Sequence, residues 1–214
     1  MIIPARALLF DNDGVLVDSH ASVISSWAKW SEIYQVEGFD IANHFGTRAQ
    51  DLVLQVLGEE MFEEANDLIN QLEQQSAHET VALPGAKELL EALPEGSWTI
   101  CTSANPNLGR ARILAAGLPL PETLVTGGDV ENGKPAPDPY LLGAKRLGVA
   151  IEDCVVFEDA VAGVAAARAA GAGFVVGVSE GALATDADVV VADLTGISFD
   201  GEWLEIEDQK ILRN

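Results

Sequence analysis

Residues 11–19 read Asp-Asn-Asp-Gly-Val-Leu-Val-Asp-Ser and follow directly on the apolar run Ala7-Leu8-Leu9-Phe10. In an extended chain, side chains two residues apart share a side, so Asp11 and Asp13 point together at the end of a β-strand. The carboxyl edge of a parallel strand is where open α/β sheets bind ligands. Two carboxylates placed there repel each other unless a cation neutralises them, and an all-oxygen donor pair suits a hard divalent ion such as Mg²⁺. The same stretch also reads as an acidic turn with Asp13-Gly14 at its corner.

The elements that must position these groups alternate as a parallel α/β protein requires. Short β-rich runs occur at 7–10, 98–102, 123–126, 154–157, 174–178 and 189–191. From residue 98 onward they are separated by stretches long enough for crossover helices, such as 107–116 and 139–147. Near-continuous apolar strands predict burial on both faces, hence a doubly wound, Rossmann-like sheet. Ala116-Gly117, Leu147-Gly148 and Ala170-Gly171 have the form of helix C-caps. Between the first strand and Pro84-Gly85 the alternation stops. Val23, Trp27, Trp30, Ile33 and Tyr34 form an amphipathic helical stripe, and residues 52–57 and 61–72 repeat the pattern on either side of Gly58. The expectation is a core of residues 1–16 and 84–214 with an inserted helical cap at 17–83; the two Trp residues read as packing within that cap.

Composition narrows the function classes. The 214 residues carry 34 acidic against 12 basic side chains, a formal charge of −22, which disfavours nucleic acid or an anionic membrane surface as partner. Hydrophobic residues make up 48% of the chain, enough for a packed core, and no apolar run approaches the roughly 20 residues of a membrane span. Cys101 and Cys154 lie in apolar runs and read as buried thiols, and the N-terminus lacks the pattern of a secretory signal, so a cytoplasmic protein is expected, monomeric or weakly dimeric.

Four motifs in order give the sequence a family resemblance. Asp11-Asn12-Asp13-Gly14-Val15-Leu16-Val17-Asp18-Ser19 resembles the first motif of the haloacid dehalogenase superfamily, in the phosphatase-like branch with a helical cap after strand one. Thr102-Ser103 resembles the second motif, Gly133-Lys134-Pro135-Ala136-Pro137-Asp138-Pro139 the third, and Val155-Val156-Phe157-Glu158-Asp159 the fourth. The resemblance implies that Asp11 attacks phosphorus and forms an aspartyl phosphate, which divides one hard step into two. It implies that Asp13 is the general acid and base; the superfamily's dehalogenases lack this second Asp. Mg²⁺ would be held by Asp11, the Asp13 carbonyl and Asp159, with Glu158 acting through water. Thr102 would hydrogen-bond a phosphoryl oxygen, the backbone after it would open a helix whose N-terminus favours anions, and Lys134 would neutralise the transferring group. Two departures stand out: Asn12 between the carboxylates, expected to face away, and Ala160 where the family often has Ser.

Substrate choice would fall to the cap. His44-Phe45-Gly46-Thr47-Arg48 resembles a His-x-Gly-x-Arg-like loop of relatives that act on small sugar or polyol phosphates, such as 2-deoxyglucose-6-phosphate and glycerol-3-phosphate phosphatases. Arg48 could clamp phosphate or hydroxyls bidentately, and His44, Ser103 and Asn105 could face the substrate. The expectation is a small-molecule phosphate monoester hydrolase. The alternatives are a β-phosphoglucomutase-like mutase, disfavoured because Val23 and Ala49 stand where that relative has its cap His and Arg, a phosphoglycolate phosphatase, and a non-catalytic scaffold that only binds phosphorylated ligands.

Overall fold

Apolar strands without polar interruption can only be buried on both faces, and they dominate the computed structural model, which describes residues 1–213. Asn214, the last residue of the expected core, lies outside the described residues. The strands are β1 (Ile2–Pro4), β2 (Ala7–Phe10), β3 (Val17–Asp18), β4 (Val81–Ala82), β5 (Trp98–Ile100), β6 (Cys154–Glu158), β7 (Phe174–Val178), β8 (Val189–Val191), β9 (Ile197–Phe199), β10 (Trp203–Ile206) and β11 (Ile211–Arg213). The helices are α1 (His20–Ile33), α2 (Ala49–Leu57), α3 (Phe62–Ser76), α4 (Ala86–Ala92), α5 (Pro106–Ala115), α6 (Asp138–Leu147) and α7 (Val161–Ala170).

The main sheet has the order β11-β8-β7-β6-β2-β5. Its pairs from β5 to β8 are parallel, and β11 closes one edge antiparallel to β8. Alternate residues feed two apolar clusters: Leu8, Phe10, Val155 and Phe157 pack with α4 and α5, whereas Leu9, Val156 and Val175 pack with α6 and α7. Helices therefore cover both faces, the doubly wound arrangement expected from the strand composition. Register sets the site. Phe10 pairs with Ile100 on one side and Phe157 on the other, so the residues after β2, β5 and β6 emerge at one edge.

The helices α1, α2 and α3, between β2 and β5, have an apolar cluster of their own, with Trp27, Trp30, Leu52, Val53 and Ile69 buried. Trp30 Nε1 donates to the Ala65 carbonyl at 2.9 Å, so the Trp pair packs within this insert, as its periodicity implies. The chain enters and leaves the insert through the antiparallel pair β3–β4, with Val17 opposite Ala82.

The strand expectations need correction. Residues 123–126 form a single bridge, Cys101 to Val125, in place of a strand, because Thr126 is turned immediately by Asp129, whose carboxylate accepts from its N–H at 2.8 Å. A second sheet, β1-β10-β9, and the edge strand β11 are additional. The helix expected at 107–116 is present as α5, Pro106–Ala115. No described helix is long and apolar enough to cross a membrane.

Candidate active site

The carboxyl ends of β2 and β6 and the loop before α6 deliver a buried ionic cluster, the floor of the site. Lys134 is fully buried, and its ammonium donates to Asp11 Oδ1 at 2.5 Å and Glu158 Oε1 at 2.6 Å. Tyr140 from α6 donates its hydroxyl to the same Glu158 oxygen at 2.5 Å, and Glu158 Oε2 accepts from the Asp159 and Ala160 amides at 3.1 and 3.4 Å. Both Glu158 oxygens are thus engaged by protein donors. A Cβ on Gly163, in the first turn of α7, would collide with this carboxylate, and one on Gly14 (φ +86°) would collide with Asp159. Close packing explains a glycine at each position.

Burial pushes Asp11 well above the ordinary carboxylate range against the pull of Lys134, with Glu158, Asp159 and Asp13 adding to the rise. Burial likewise raises Asp159, opposed by its contact with His20. For Lys134 burial acts downward, but Asp11 and Glu158 outweigh it and hold the ammonium charged. Oxygens of Asp11, Glu158 and Asp159 lie within 4.8 Å of one another, three carboxylates against one ammonium. An all-oxygen set with excess negative charge fits a hard divalent cation such as Mg²⁺.

Asp13 is held by a different set. Its Oδ1 accepts from Ser19 Oγ at 2.6 Å and pairs with Arg112 at 3.1 Å, and its Oδ2 accepts from Asn12 Nδ2 at 3.3 Å and Thr102 Oγ1 at 3.4 Å. Burial would raise this carboxyl, but Arg112 and the Ser19 and Asn12 hydrogen bonds prevail and hold it below the usual range. Asn12 therefore turns toward its neighbour, contrary to the expectation that it faces away.

Above the floor lies a cavity of about 270 Å³, bounded by the insert as its roof. His44 lines it, stacked on Phe39 at 5.6 Å between ring centroids. Arg48 does not serve as the expected clamp. Its five N–H groups go to Asp51 Oδ1 and Oδ2 and to the carbonyls of Gly127, Val130 and Glu131, so it ties the insert to the core and has no donor left for a ligand. Ser103 similarly donates to the Gly46 carbonyl at 2.6 Å. Asn105 faces the cavity but is committed at both ends: its Oδ1 caps α5 through the amides of Asn107 and Leu108, and its Nδ2 donates to Asn70 Oδ1 at 3.0 Å. The amides of α5 are thus capped by its own Asn105, and the expected anion-binding helix end after Thr102 is not formed.

The cavity residues that sequence reasoning missed include His20, Asn66, Asn70, Glu73 and Arg112. His20 stacks on Phe45 and lies 3.5 Å from Asp159 Oδ2, a contact that raises its pKa despite partial burial. Asn66 and Glu73 of α3 and Arg112 of α5 also line the cavity. A signal was present: Ala65, Ile69 and Glu73 share the buried face of α3, and Leu108 and Arg112 that of α5, so each helix carries a charge where the period demands an apolar residue.

A family model described as haloacid dehalogenase-like hydrolase matches residues 5–171. Hexitol phosphatase A of Escherichia coli (strain K12) is 40% identical over 172 residues, covering 78% of this chain and 80% of that protein. 2-Deoxyglucose-6-phosphate phosphatase 1 of Saccharomyces cerevisiae (strain ATCC 204508 / S288c) is 32% identical over 223 residues, 91% and 90% of the two chains. Among solved structures, a hydrolase from Pseudomonas syringae superposes with a TM-score of 0.73 at 30% identity, over 82% of this chain and 85% of that one.

Proposed function

The chain belongs to the haloacid dehalogenase-like hydrolase family and is a phosphoric monoester hydrolase, and from that premise we propose that it hydrolyses phosphate esters of small sugars or polyols through an aspartyl phosphate, with Mg²⁺ as cofactor. The observation that carries this reading is the pairing of two differently held carboxylates under one cavity, Asp11 on Lys134 and Asp13 on Arg112.

In this reading an Asp11 oxygen forms a bond to phosphorus as the bond to the substrate oxygen breaks, and Asp13 gives its proton to that leaving oxygen. Water then attacks the aspartyl phosphate, passes a proton to Asp13 and releases inorganic phosphate with Asp11 restored. The ionised Asp13 described above is in the proton-accepting form; delivering a proton to the leaving group requires the Arg112 contact to loosen. Thr102 and Lys134 bind the phosphoryl oxygens. Asp11, Asp159 and the Asp13 carbonyl would hold the Mg²⁺, which supplies Lewis-acid neutralisation of phosphoryl charge. Glu158, its oxygens already engaged, contributes by bracing Lys134. The helical insert, residues 17–83, acts as the cap over the core formed by 1–16 and 84–214. Two relatives that act on a hexitol phosphate and on 2-deoxyglucose 6-phosphate support a hydroxylated substrate.

Phosphate release from a panel of polyol, sugar and glycolate phosphates, with Mg²⁺ and with EDTA, tests this directly. Mg²⁺-dependent turnover of polyol or sugar phosphates is expected. Full activity in EDTA, or turnover confined to phosphoglycolate, overturns it.

A further inference from the structure

The roof carries a polar wall opposite the floor. Asn66, Asn70 and Glu73 follow one another at i, i+4 and i+7 along α3, so they share a helix face, and all three line the cavity. Arg112 of α5 meets this wall: its guanidinium pairs with Glu73 Oε1 at 3.4 Å and with Asp13 Oδ1 at 3.1 Å. One cation therefore stands between two carboxylates; Asp13 is held below the usual carboxylate range, whereas burial pushes Glu73 up against the pull of Arg112. Two buried polar atoms here have no hydrogen-bond partner among the described residues: Asn66 Oδ1, an acceptor, and Arg112 Nε, a donor.

Both atoms are shielded from solvent, but both side chains line the cavity, so a small turn of either on binding would present an unpaired acceptor and an unpaired donor to a ligand group that both donates and accepts. A hydroxyl does both. A carboxylate only accepts, so it could meet Arg112 but not Asn66 Oδ1, and it would face Glu73 at close range.

We infer that the Asn66–Glu73 face of α3, together with Arg112, is the specificity wall of this enzyme, recognising the uncharged hydroxyls of the substrate and excluding a substrate that carries a carboxylate beside its phosphate. This rests on the phosphatase reading above and narrows its substrate class. Arg112 then links recognition to reaction, because one guanidinium would hold a hydroxyl at Nε while its Nη1 holds Asp13. Glu73 is a positioning residue in this scheme, holding Arg112 between the wall and Asp13.

The test compares kcat/KM for glycerol phosphate, a hexitol phosphate, phosphoglycolate and p-nitrophenyl phosphate, with Mg²⁺, in the parent enzyme and in the variants Asn66→Leu and Glu73→Gln. Removing the acceptor in Asn66→Leu should lower the ratio of polyol phosphate to p-nitrophenyl phosphate by at least about tenfold, since a site built to hydrogen-bond a hydroxyl discriminates strongly. Glu73→Gln removes the repelling charge without changing shape, and should raise the ratio of phosphoglycolate to polyol phosphate by at least about fivefold. A merely structural role would lower all four substrates together and leave both ratios within about twofold of the parent; that result, in whichever variant retains the parent's melting behaviour, overturns the inference. A parent enzyme that turns over none of the four would instead overturn the phosphatase reading on which the inference stands.

Discussion

Lys134 reaches the floor of the site from a loop, and its ammonium lies between Asp11 and Glu158, residues that follow or end strands of the parallel sheet. Glu73 reaches the roof from the last turn of a helix, and its one charged partner, Arg112, comes from another. On the floor, neighbouring strands in register fix where each carboxylate emerges, so charge is set by the backbone and each charged group is braced by another. On the roof, position is set by helix packing, and Asn66 Oδ1 has no partner among the described residues, as Asn12 Oδ1 has none at the floor. The comparison separates two tasks: a floor that is the same for any phosphate ester, and a roof free to differ with what the phosphate is attached to.

The most severe way to break the floor is Asp11→Asn. In the proposed mechanism it removes the nucleophile, so kcat should fall by at least about a thousandfold, while the metal-free melting temperature should hold or rise because a buried charge is lost. Steady-state kinetics beside thermal melting in EDTA checks both; substantial turnover would remove Asp11 from the role assigned to it. Asp13→Asn sharpens the boundary between floor and roof. Polyol phosphate hydrolysis, whose poor leaving group needs a proton, should drop by about 10²–10⁴-fold, and p-nitrophenyl phosphate by much less. Equal losses on the two substrates would reduce Asp13 to a structural neighbour of Arg112.

Arg48→Lys tests the tie between the regions. An ammonium cannot reproduce five N–H bonds to a carboxylate and three carbonyls, so about 2–3 kcal/mol of stability should be lost, seen as a shifted midpoint in urea. An unshifted midpoint would mean the insert is held by its other contacts alone.

The smallest effect concerns metal and pH. Asp11 and Asp159 both have folded pKa values raised above the ordinary aspartate range. Their contribution to metal-free stability is therefore full below about pH 4 and is lost as pH rises toward the raised values. Under the proposal Mg²⁺ would bind the ionised carboxylates, so its stabilisation should grow over the same interval. Melting with and without Mg²⁺ should show a larger increment at pH 8 than at pH 5; an increment that shrinks with rising pH would place the cation elsewhere.

Much of the floor was legible because Asp11, Asp13, Glu158 and Asp159 sit at or just beyond the ends of apolar strands, where spacing along the chain converts directly into position. The roof was not. Arg48 and Asn105 were picked for their residue types, but whether a guanidinium or an amide is free depends on which distant carbonyls and side chains reach it, and Arg48 meets Gly127, Val130 and Glu131 across roughly eighty residues of chain. Glu73 and Arg112 were hidden among apolar neighbours whose period made them look like core. In the fold, Ile197–Phe199 and Trp203–Ile206 alternate buried and exposed residues, yet runs of three or four residues carry too little pattern to separate strand from loop.

The narrow ribbon of β3 and β4 has a consequence for how such an enzyme can change. The chain departs at Asp18 and returns at Val81 directly opposite, so the insert is a detour of about 60 residues whose two ends are already side by side. The entropy of closing a loop grows only with the logarithm of its length, so lengthening or shortening the detour costs the core little. Two neighbouring residues thus form a socket. A different helical module could be received there without recasting the sheet, provided that it brings its own partners for the carbonyls that Arg48 now satisfies.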